Sequence, residues 1–347
     1  MDFLKKIYSI TTRASIHIKK QIIFLCLILS FFSIVIGAFT IYFTKIFPIL
    51  LGLVFLSFGL GLRHAVDADH IAAIDNTTRK LMHEGKKPVF IGFFFSLGHS
   101  TVVILLSVFL ALSANYVKTT LPYFEQFGAI LGTAISSIFL LIIGIINFIT
   151  FLEIFHTFIH AVKTKSPLLS HAHTHIHTSG FLLRLFKPFI KAISAEWHMY
   201  FLGFLFGLGF DTASEIALLT LSATSTTVLP FFAILLLPLS FTIGMALIDS
   251  LDGVLMLGAY GWAFIKPIRK LYYNLTITFI SVFIALFIGG LEGIQLIGQA
   301  LQVNNQFFSF MNSISISNLG LFIIAVFIAS WLISIAFYKM NNLDKLL

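Results

Sequence analysis

Long apolar runs determine what this chain can fold into. Eight stretches of about 20 residues or more are predominantly apolar, which is the length a helix needs to cross the hydrocarbon core of a bilayer. Lipid offers the backbone no hydrogen-bond partners, so each run is expected to be helical. The predicted spans are 21–44, 48–78, 88–113, 127–155, 197–222, 228–262, 272–297 and 318–338. Three of them exceed a straight crossing, so we expect these to tilt, break or extend into solvent.

Composition indicates the same class. Hydrophobic residues make up 58% of the 347 residues and charged residues only 10%, whereas a soluble domain has about 25% charged residues. We therefore predict an all-α, polytopic integral membrane protein in which residues 1–347 form one transmembrane domain within a lipid bilayer. Cys26 is the single cysteine, so an intramolecular disulfide is excluded.

Basic residues fall on alternate sides of the predicted spans. They are concentrated in the N-terminus, in the loops between spans 2 and 3, 4 and 5, and 6 and 7, and in the C-terminal tail. The other side carries only Lys45 and Lys118. The positive-inside rule then predicts cytoplasmic N- and C-termini and a multi-pass protein of the cell (cytoplasmic) membrane. This topology accounts for the formal charge of +8, so the charge does not indicate a nucleic-acid partner.

The second span contains a dense cluster of ionisable residues, RHAVDADH at 63–70. Burying a charge at the centre of a span costs about 2.5–3.5 kcal/mol even on the lenient insertion scale. On an ideal helix His64, Asp67 and His70 spread over about 120° of one face and can share one ion. Asp69 lies on the opposite side. The cluster is most simply interpreted as binding or moving a metal cation.

Two residues of this cluster need further explanation. Asp69 reaches the same ion only if the helix unwinds, which Gly59 and Gly61 make feasible, or it orients a ligand from outside the coordination sphere. Arg63 is the natural counter-charge when no cation is bound. The alternative interpretation is a structural salt-bridge cluster that locks helices together.

Further ionisable residues lie inside the other spans. His99 is in span 3, Asp211 and Glu215 are four residues apart in span 5, and Asp249 and Asp252 are three apart in span 6. Such spacings place each acidic pair on one helix face. We predict that these residues add metal ligands to the cluster of span 2, or that the acids of span 5 pair with Arg63 or a histidine. Hydrogen bonding between helices is the competing interpretation.

A four-residue motif occurs twice in the sequence, which suggests an internal repeat. Phe-Gly-Leu-Gly occurs at 58–61 and again at 206–209, each time just before an acidic cluster. The two copies lie on spans 2 and 5, which are predicted to run in opposite directions. An inverted repeat relating spans 1–3 to spans 4–6 produces this offset of three spans. Glu292 of span 7 lies outside both halves and has no predicted role.

Histidines are frequent in the predicted cytoplasmic loop 160–195, between spans 4 and 5. Weak cytoplasmic metal ligands are predicted in an alternating tract and in a stripe at the end of span 4: His171, His173, His175 and His177, with Glu153, His156 and His160. Exposed histidine tracts are typical of weak metal binding. We predict buffering or receipt of metal at the cytoplasmic side; the alternative is a solvated linker.

At four motifs the chain resembles the nickel–cobalt transporter family of secondary permeases. The motifs, in order, are RHAVDADH at 63–70, FFFSLGHSTVV at 93–103, LGFDTASE at 208–215 and GMALIDSLD at 244–252. The resemblance covers nearly the whole chain, and the motif sequences are most similar to those of the nickel-selective bacterial permeases. Ser214 stands where the family pattern more usually has Thr, a change that keeps the hydroxyl group.

The resemblance implies eight spans and high-affinity import of Ni²⁺, sometimes of Co²⁺, with cytoplasmic nickel acceptor proteins as partners. It also implies that His64, Asp67, Asp69 and His70 are required for uptake. A distant branch of the superfamily exports the same metals and carries histidine-rich loops, so efflux is the alternative.

The sequence contains neither the His-Glu-x-x-His motif of a metallo-hydrolase nor the phosphate-binding loop of an ATPase. We therefore predict no enzyme and no cofactor. The driving force is then the membrane potential, the proton gradient or both.

We predict that uptake falls as the external pH drops below about 6, because protons on His64 and His70 then compete with the metal. The measurement is the initial rate of Ni²⁺ uptake between about pH 5 and pH 8 at constant membrane potential. A rate that rises as the pH falls would indicate proton symport and contradict simple competition.

Overall fold

The structure is a computed structural model. It describes residues 16–112, 130–149, 151–152, 155–156, 159, 193–209, 213–263, 267–302, 305–314, 319–327 and 329–330. Helices and turns account for the secondary structure of these ranges, which contain no strand. The all-α prediction is therefore confirmed for this part of the chain.

The described part of the chain contains helices of very different length. They are α1 (Ile16–Thr44), α2 (Ile49–Ala65), α3 (Ala68–His83), α4 (Ile91–Leu112), α5 (Ile130–Ile149), α6 (Met199–Gly207), α7 (Ala213–Thr224), α8 (Phe231–Ile234), α9 (Leu236–Ala263), α10 (Pro267–Ala300) and α11 (Gln306–Ser313). Residues 319–327 are helical as well.

Several helices are suited to a bilayer. In the described ranges five are long and apolar enough to cross a membrane, formed by α1, α4, α5, α8 with α9, and α10. Together α2 and α3 pass the same test as one span bent by 55°, which makes up to six. These findings support a multi-pass membrane protein. Eight spans and cytoplasmic termini stay predictions.

The predicted second span is broken between Ala65 and Ala68, later than the glycines at 59 and 61 suggested. Asp67 is extended, with ψ at 149°, and its Oδ1 accepts a hydrogen bond of 2.8 Å from the backbone N–H of Ala68. Aspartate is a preferred residue at this position because its side chain satisfies a free amide of the first helical turn. Asp69 in the first turn of α3 also interacts favourably with the helix dipole. Asp67 therefore determines where the span breaks.

The glycines of α2 instead permit close helix packing. A Cβ atom on Gly61 would collide with the backbone oxygen of Phe241 in α9, and one on Gly244 would collide with that of Phe58. Small residues allow this backbone contact between helices in membranes. Helices α2 and α9 are thus held together by a reciprocal pair of glycines.

Helices α4 and α6 pack in the same way. A Cβ atom on Gly203 would collide with the backbone oxygen of Phe95, and one on Gly98 with that of Tyr200. Reciprocal glycine contacts thus join α2 to α9 and α4 to α6.

Within each helix, both contact residues are displaced in sequence from their counterparts in the other pair by the same number of residues. Gly203 and Tyr200 follow their counterparts Gly61 and Phe58 by 142 residues. The contact residues of α9 follow those of α4 by 146 residues. Helices α2 and α6 also end 142 residues apart.

Contacts between the helices give their relative directions. Along α2–α3 and α9, Gly61 lies beside Phe241 and Ile74 beside Gly253, so these elements run parallel. Helix α4 runs the opposite way, because Gly92 near its start lies against the C-terminal half of α9. Helix α6 runs parallel to α4. The polar residues of α2–α4 and α9 are thereby brought to one interior.

We predict that Gly203→Ala lowers the thermal unfolding midpoint of the purified protein in detergent. The methyl group must displace the backbone of α4, and overpacking of this kind costs about 1–3 kcal/mol. Gly59→Ala is the matched control, because no atom lies within 4 Å of the added Cβ and alanine is the better helix former. Equal midpoints for the two variants would contradict the close contact.

Candidate metal site

Three histidines from separate helices meet in the interior. Nitrogen atoms of His64, His70 and His99 all lie within 4.8 Å of one another. His64 is in the last turn of α2, His70 in the first turn of α3, and His99 lies within α4. The break after Ala65 therefore places two of the rings on separate half-helices that both face α4.

A carboxylate joins the histidines. Oε1 of Glu215, in the first turn of α7, is 2.7 Å from Nε2 of His99 and 3.8 Å from Nε2 of His64. The Nε2 atoms of His64 and His99 are 2.9 Å apart. These three residues and His70 are each at most 2% exposed. We call His64, His70, His99 and Glu215 the histidine site.

These distances match the first coordination sphere of a transition metal. Bonds from metal to imidazole are about 2.1 Å long, so adjacent ligands lie about 3 Å apart and opposite ligands about 4 Å apart. The separations of 2.9 and 3.8 Å agree with these values, that of 2.7 Å is slightly shorter, and the nitrogens of all three histidines lie within 4.8 Å of one another. Three imidazoles and one carboxylate form a donor set suited to Ni²⁺, Co²⁺ or Zn²⁺.

Polar side chains contact the Nδ1 atom of two of the histidine rings. Ser214 Oγ is 3.4 Å from Nδ1 of His64, and Asp249 Oδ1 is 3.5 Å from Nδ1 of His70. Such partners fix the orientation and tautomer of a ligating histidine and leave Nε2 for the metal. Asp249, predicted from the sequence as a ligand, contacts His70 in this structure.

Aromatic rings border the histidine site. The ring of His70 packs edge-on against Phe95, with 4.8 Å between centroids, and the ring of His64 lies 5.5 Å from that of Phe241. Both phenylalanines are fully buried. Apolar walls exclude water and strengthen the interaction of the ligands with a cation.

The two aspartates of the second span make backbone contacts. Asp67 caps α3 as described above, and Asp69 Oδ1 accepts a hydrogen bond of 2.8 Å from the backbone N–H of His70. Asp67 is buried and Asp69 is half-buried. In this structure they hold the break between His64 and His70.

The remaining predicted residues have different surroundings. Arg63 is exposed and interacts electrostatically with Asp67, while Asp252 is half-buried on α9. His156 is exposed. The predicted residues outside the described part of the chain are Asp211, Glu153, His160, His171, His173, His175 and His177.

Sequence reasoning did not assign several residues that the structure brings to the interior. From the sequence, Ser214 had no role beyond its place in the LGFDTASE motif, although its position next to Glu215 could have indicated a residue of the site. Phe95 and Phe241 cannot be told from other core aromatics by sequence. Asn76 and Asn147 are buried and share a hydrogen bond of 2.7 Å; isolated amides in apolar helices are a signal for such pairs.

A multi-span helical protein with a buried histidine–carboxylate site belongs to the class of membrane carriers for transition-metal ions. A family model described as NicO, high-affinity nickel-transport protein, matches residues 50–337. The chain belongs to this family, which confirms the resemblance seen in its motifs, and it is a transporter rather than an enzyme.

Named relatives cover most of the chain. It is 46% identical over 299 residues to the nickel transporter NixA of Staphylococcus aureus, covering 85% of this chain and 88% of the relative. It is 44% identical over 300 residues to the high-affinity nickel transport protein of Cupriavidus necator, covering 86% of each. A more distant relative, at 39% over 240 residues and 68% of each chain, is the cobalt transport protein NhlF of Rhodococcus rhodochrous. No solved structure matches the chain.

We predict that Ser214→Ala weakens Ni²⁺ binding about 10- to 100-fold, because the ring of His64 loses its orienting partner. Binding is measured by equilibrium dialysis of the purified protein with radioactive Ni²⁺. Ser214→Thr should bind like the wild type, since it keeps the hydroxyl. Ser222→Ala, a buried serine elsewhere on α7, is the control; equal loss in both alanine variants would mean that Ser214 acts only through packing.

Proposed function

We propose that the protein imports Ni²⁺ across the cell membrane with high affinity, and that Co²⁺ is a second substrate. The observation that carries this proposal is the histidine site, in which His64, His70, His99 and Glu215 converge with the spacing of one coordination sphere. The names of the relatives support nickel as the substrate and NhlF supports cobalt.

The proposed roles follow from position. His64, His70 and His99 bind the ion through Nε2 and Glu215 supplies a carboxylate oxygen, which also offsets part of the ion's charge. Asp249 orients His70, and Asp67 and Asp69 hold the half-helices at the break. Arg63 supplies the counter-charge near Asp67 when the ion has left. Asp211 is proposed as an additional acid of the site on its motif alone.

The membrane potential supplies enough energy for accumulation. A divalent cation gains about 4.6 kcal/mol for each 100 mV of inside-negative potential, since one elementary charge gains about 2.3 kcal/mol. At about 1.4 kcal/mol per tenfold ratio, this sustains a gradient of about 10³-fold. Competition between protons and metal for the same imidazoles adds a coupling to pH.

We further propose that spans 1–3 and 4–6 form an inverted repeat within a single transmembrane domain. The support is the pair of glycine contacts repeated at offsets of 142 and 146 residues, together with the opposite directions of α2 and α6. The two copies of the Phe-Gly-Leu-Gly motif are 148 residues apart, so they do not lie at equivalent positions of the proposed repeat. Binding at the broken helices of such repeats is a recurring design of secondary transporters.

The cytoplasmic histidines have a proposed role after transport. The tract at 171–177 and the stripe beginning at Glu153 would receive Ni²⁺ as it leaves the membrane and pass it to cytoplasmic nickel acceptor proteins. The support is their weak, exposed donor set on the predicted cytoplasmic side.

The proposed function is tested by uptake of radioactive Ni²⁺ into cells that express the wild type, His99→Ala or the control His17→Ala. We expect accumulation with the wild type and with His17→Ala, which changes an exposed histidine at the start of α1. We expect accumulation to fall to the empty-vector level with His99→Ala. Excess Co²⁺ should compete, and Mn²⁺ should not.

Two results would contradict this proposal. Accumulation below the empty-vector level in cells with the wild type would mean efflux. Full accumulation with His99→Ala, at equal amounts of protein in the membrane, would mean that transport does not require the histidine site.

A further inference from the structure

A helical segment near the C-terminus, residues 319–327, lies against the break in the second span. The sequence predicted a span here but no functional residue, since the segment carries no ionisable side chain. Its residue Gly320 is buried and faces Val66 and Asp67, the two residues between α2 and α3. This apolar segment therefore approaches the histidine site at the point where the two half-helices join.

Gly320 contacts the break through its backbone. A Cβ atom at this position would collide with the carbonyl oxygen of Val66 and would lie 2.8 Å from its carbonyl carbon. The carbonyl carbon of Asp67 would be 3.3 Å away. No other glycine of the described residues has a backbone atom so close to its Cβ position. One Cα hydrogen of Gly320 thus points at the Val66 oxygen, which is the geometry of a weak Cα–H···O contact.

Apolar side chains hold the segment in this place. Ile323 and Phe327 pack in one buried cluster with Ala68, Ile71 and Ala72 of the first turns of α3. The two alanines are completely buried, so the segment lies directly on this helix. Because protein interiors are close-packed, the segment cannot withdraw from the break without leaving a cavity beside α3.

Hydrogen bonds connect the break to both half-helices. The amide of Val66 donates to the carbonyl oxygen of Arg63 at 3.2 Å, and the amide of Asp67 donates to that of His64 at 3.0 Å. On the other side, the carboxylate of Asp67 accepts from the amide of Ala68. A displacement of the Val66 carbonyl is therefore passed on to α2 and to α3.

The rings of His64 and His70 lie on either side of this break. Val66 follows His64 by two residues, and Asp67 precedes His70 by three. The centroids of the two rings are 4.6 Å apart, and the half-helices are bent by 55°. A metal site has to be held within about 0.5 Å of its productive geometry. The bend between the half-helices thus determines whether both rings reach one ion.

We propose that Gly320 is a positioning residue for metal binding, and that its lack of a side chain sets the bend at which His64 and His70 share an ion. This inference rests on the proposed function of the histidine site and adds a residue that does not touch the ion. A larger residue at this position pushes the Val66 carbonyl away from the segment and changes the relative position of the two rings.

A contribution to stability alone is the competing explanation. It predicts that a methyl group at Gly320 lowers the unfolding midpoint but leaves the geometry of the bound ion unchanged. Co²⁺ distinguishes the two explanations, since its visible ligand-field absorption changes with the number and arrangement of its ligands. The full-length protein is purified in lipid nanodiscs and titrated with Co²⁺. The absorption bands of the histidine site are those that His99→Ala removes.

We expect Gly320→Ala to change these bands and to raise the Kd for Co²⁺ about 10- to 100-fold, the effect of losing a partner that orients a ligand. The control is Gly289→Ala, whose Cβ would lie 2.9 Å from that of Leu140 and 3.1 Å from the backbone oxygen of Ser137, where α10 meets α5. It should lower the unfolding midpoint and keep the wild-type bands and Kd. Wild-type bands and Kd in Gly320→Ala, or equal changes in both variants, would overturn the proposal.

If Gly320→Ala does not fold, Ile323→Ala tests the same contact by loosening it. This change removes a buried side chain that holds the segment against α3, so the segment can move away from the break. We expect changed Co²⁺ bands here as well, and unchanged bands would overturn the proposal. Failure of the proposed function looks different, because the wild type itself would then show no Co²⁺ bands that depend on His99, and both proposals would be wrong.

Discussion

The hydrogen bond from the Ala68 amide to the Asp67 carboxylate is the contact on which the interior depends. It begins a new helix in the middle of a predicted membrane span, where an unsatisfied amide is expensive. Without this break His64 and His70 would belong to one continuous helix. With it, they lie at the ends of two half-helices, and His99 of α4 and Glu215 of α7 can reach them.

The parts of the fold that depend on local pattern were predictable. Apolar length predicted the helices, and the density of histidines and acids predicted a metal site in the second span. The break lies several residues after Gly59 and Gly61, because glycine only permits unwinding whereas the capping of α3 by Asp67 is a specific interaction. The glycines at 61 and 244 serve packing instead.

Of the residues predicted to bind metal, the structure brings His64, His70, His99 and Glu215 together, whereas Asp67 and Asp69 contact the backbone at the break. Which nitrogen of a ring faces the ion depends on partners far away in sequence, such as Ser214 for His64 and Asp249 for His70. The same limit applied to the internal repeat. Four matching residues suggested a repeat at an offset of 148 residues, while the glycine contacts that support the proposed repeat lie at offsets of 142 and 146 residues, since packing constrains backbones and leaves most side chains to vary.

The two glycine-mediated helix pairs divide the histidine site between them. Helices α2 and α9 carry His64 and Asp249, whereas α4, packed on α6, carries His99. Helix α4 also meets α9 directly, because Gly92 lies against the backbone of Asp249, so glycine contacts hold both pairs together around the histidine site. A substitution at one of these contact glycines would therefore shift the ligand side chains without touching any of them.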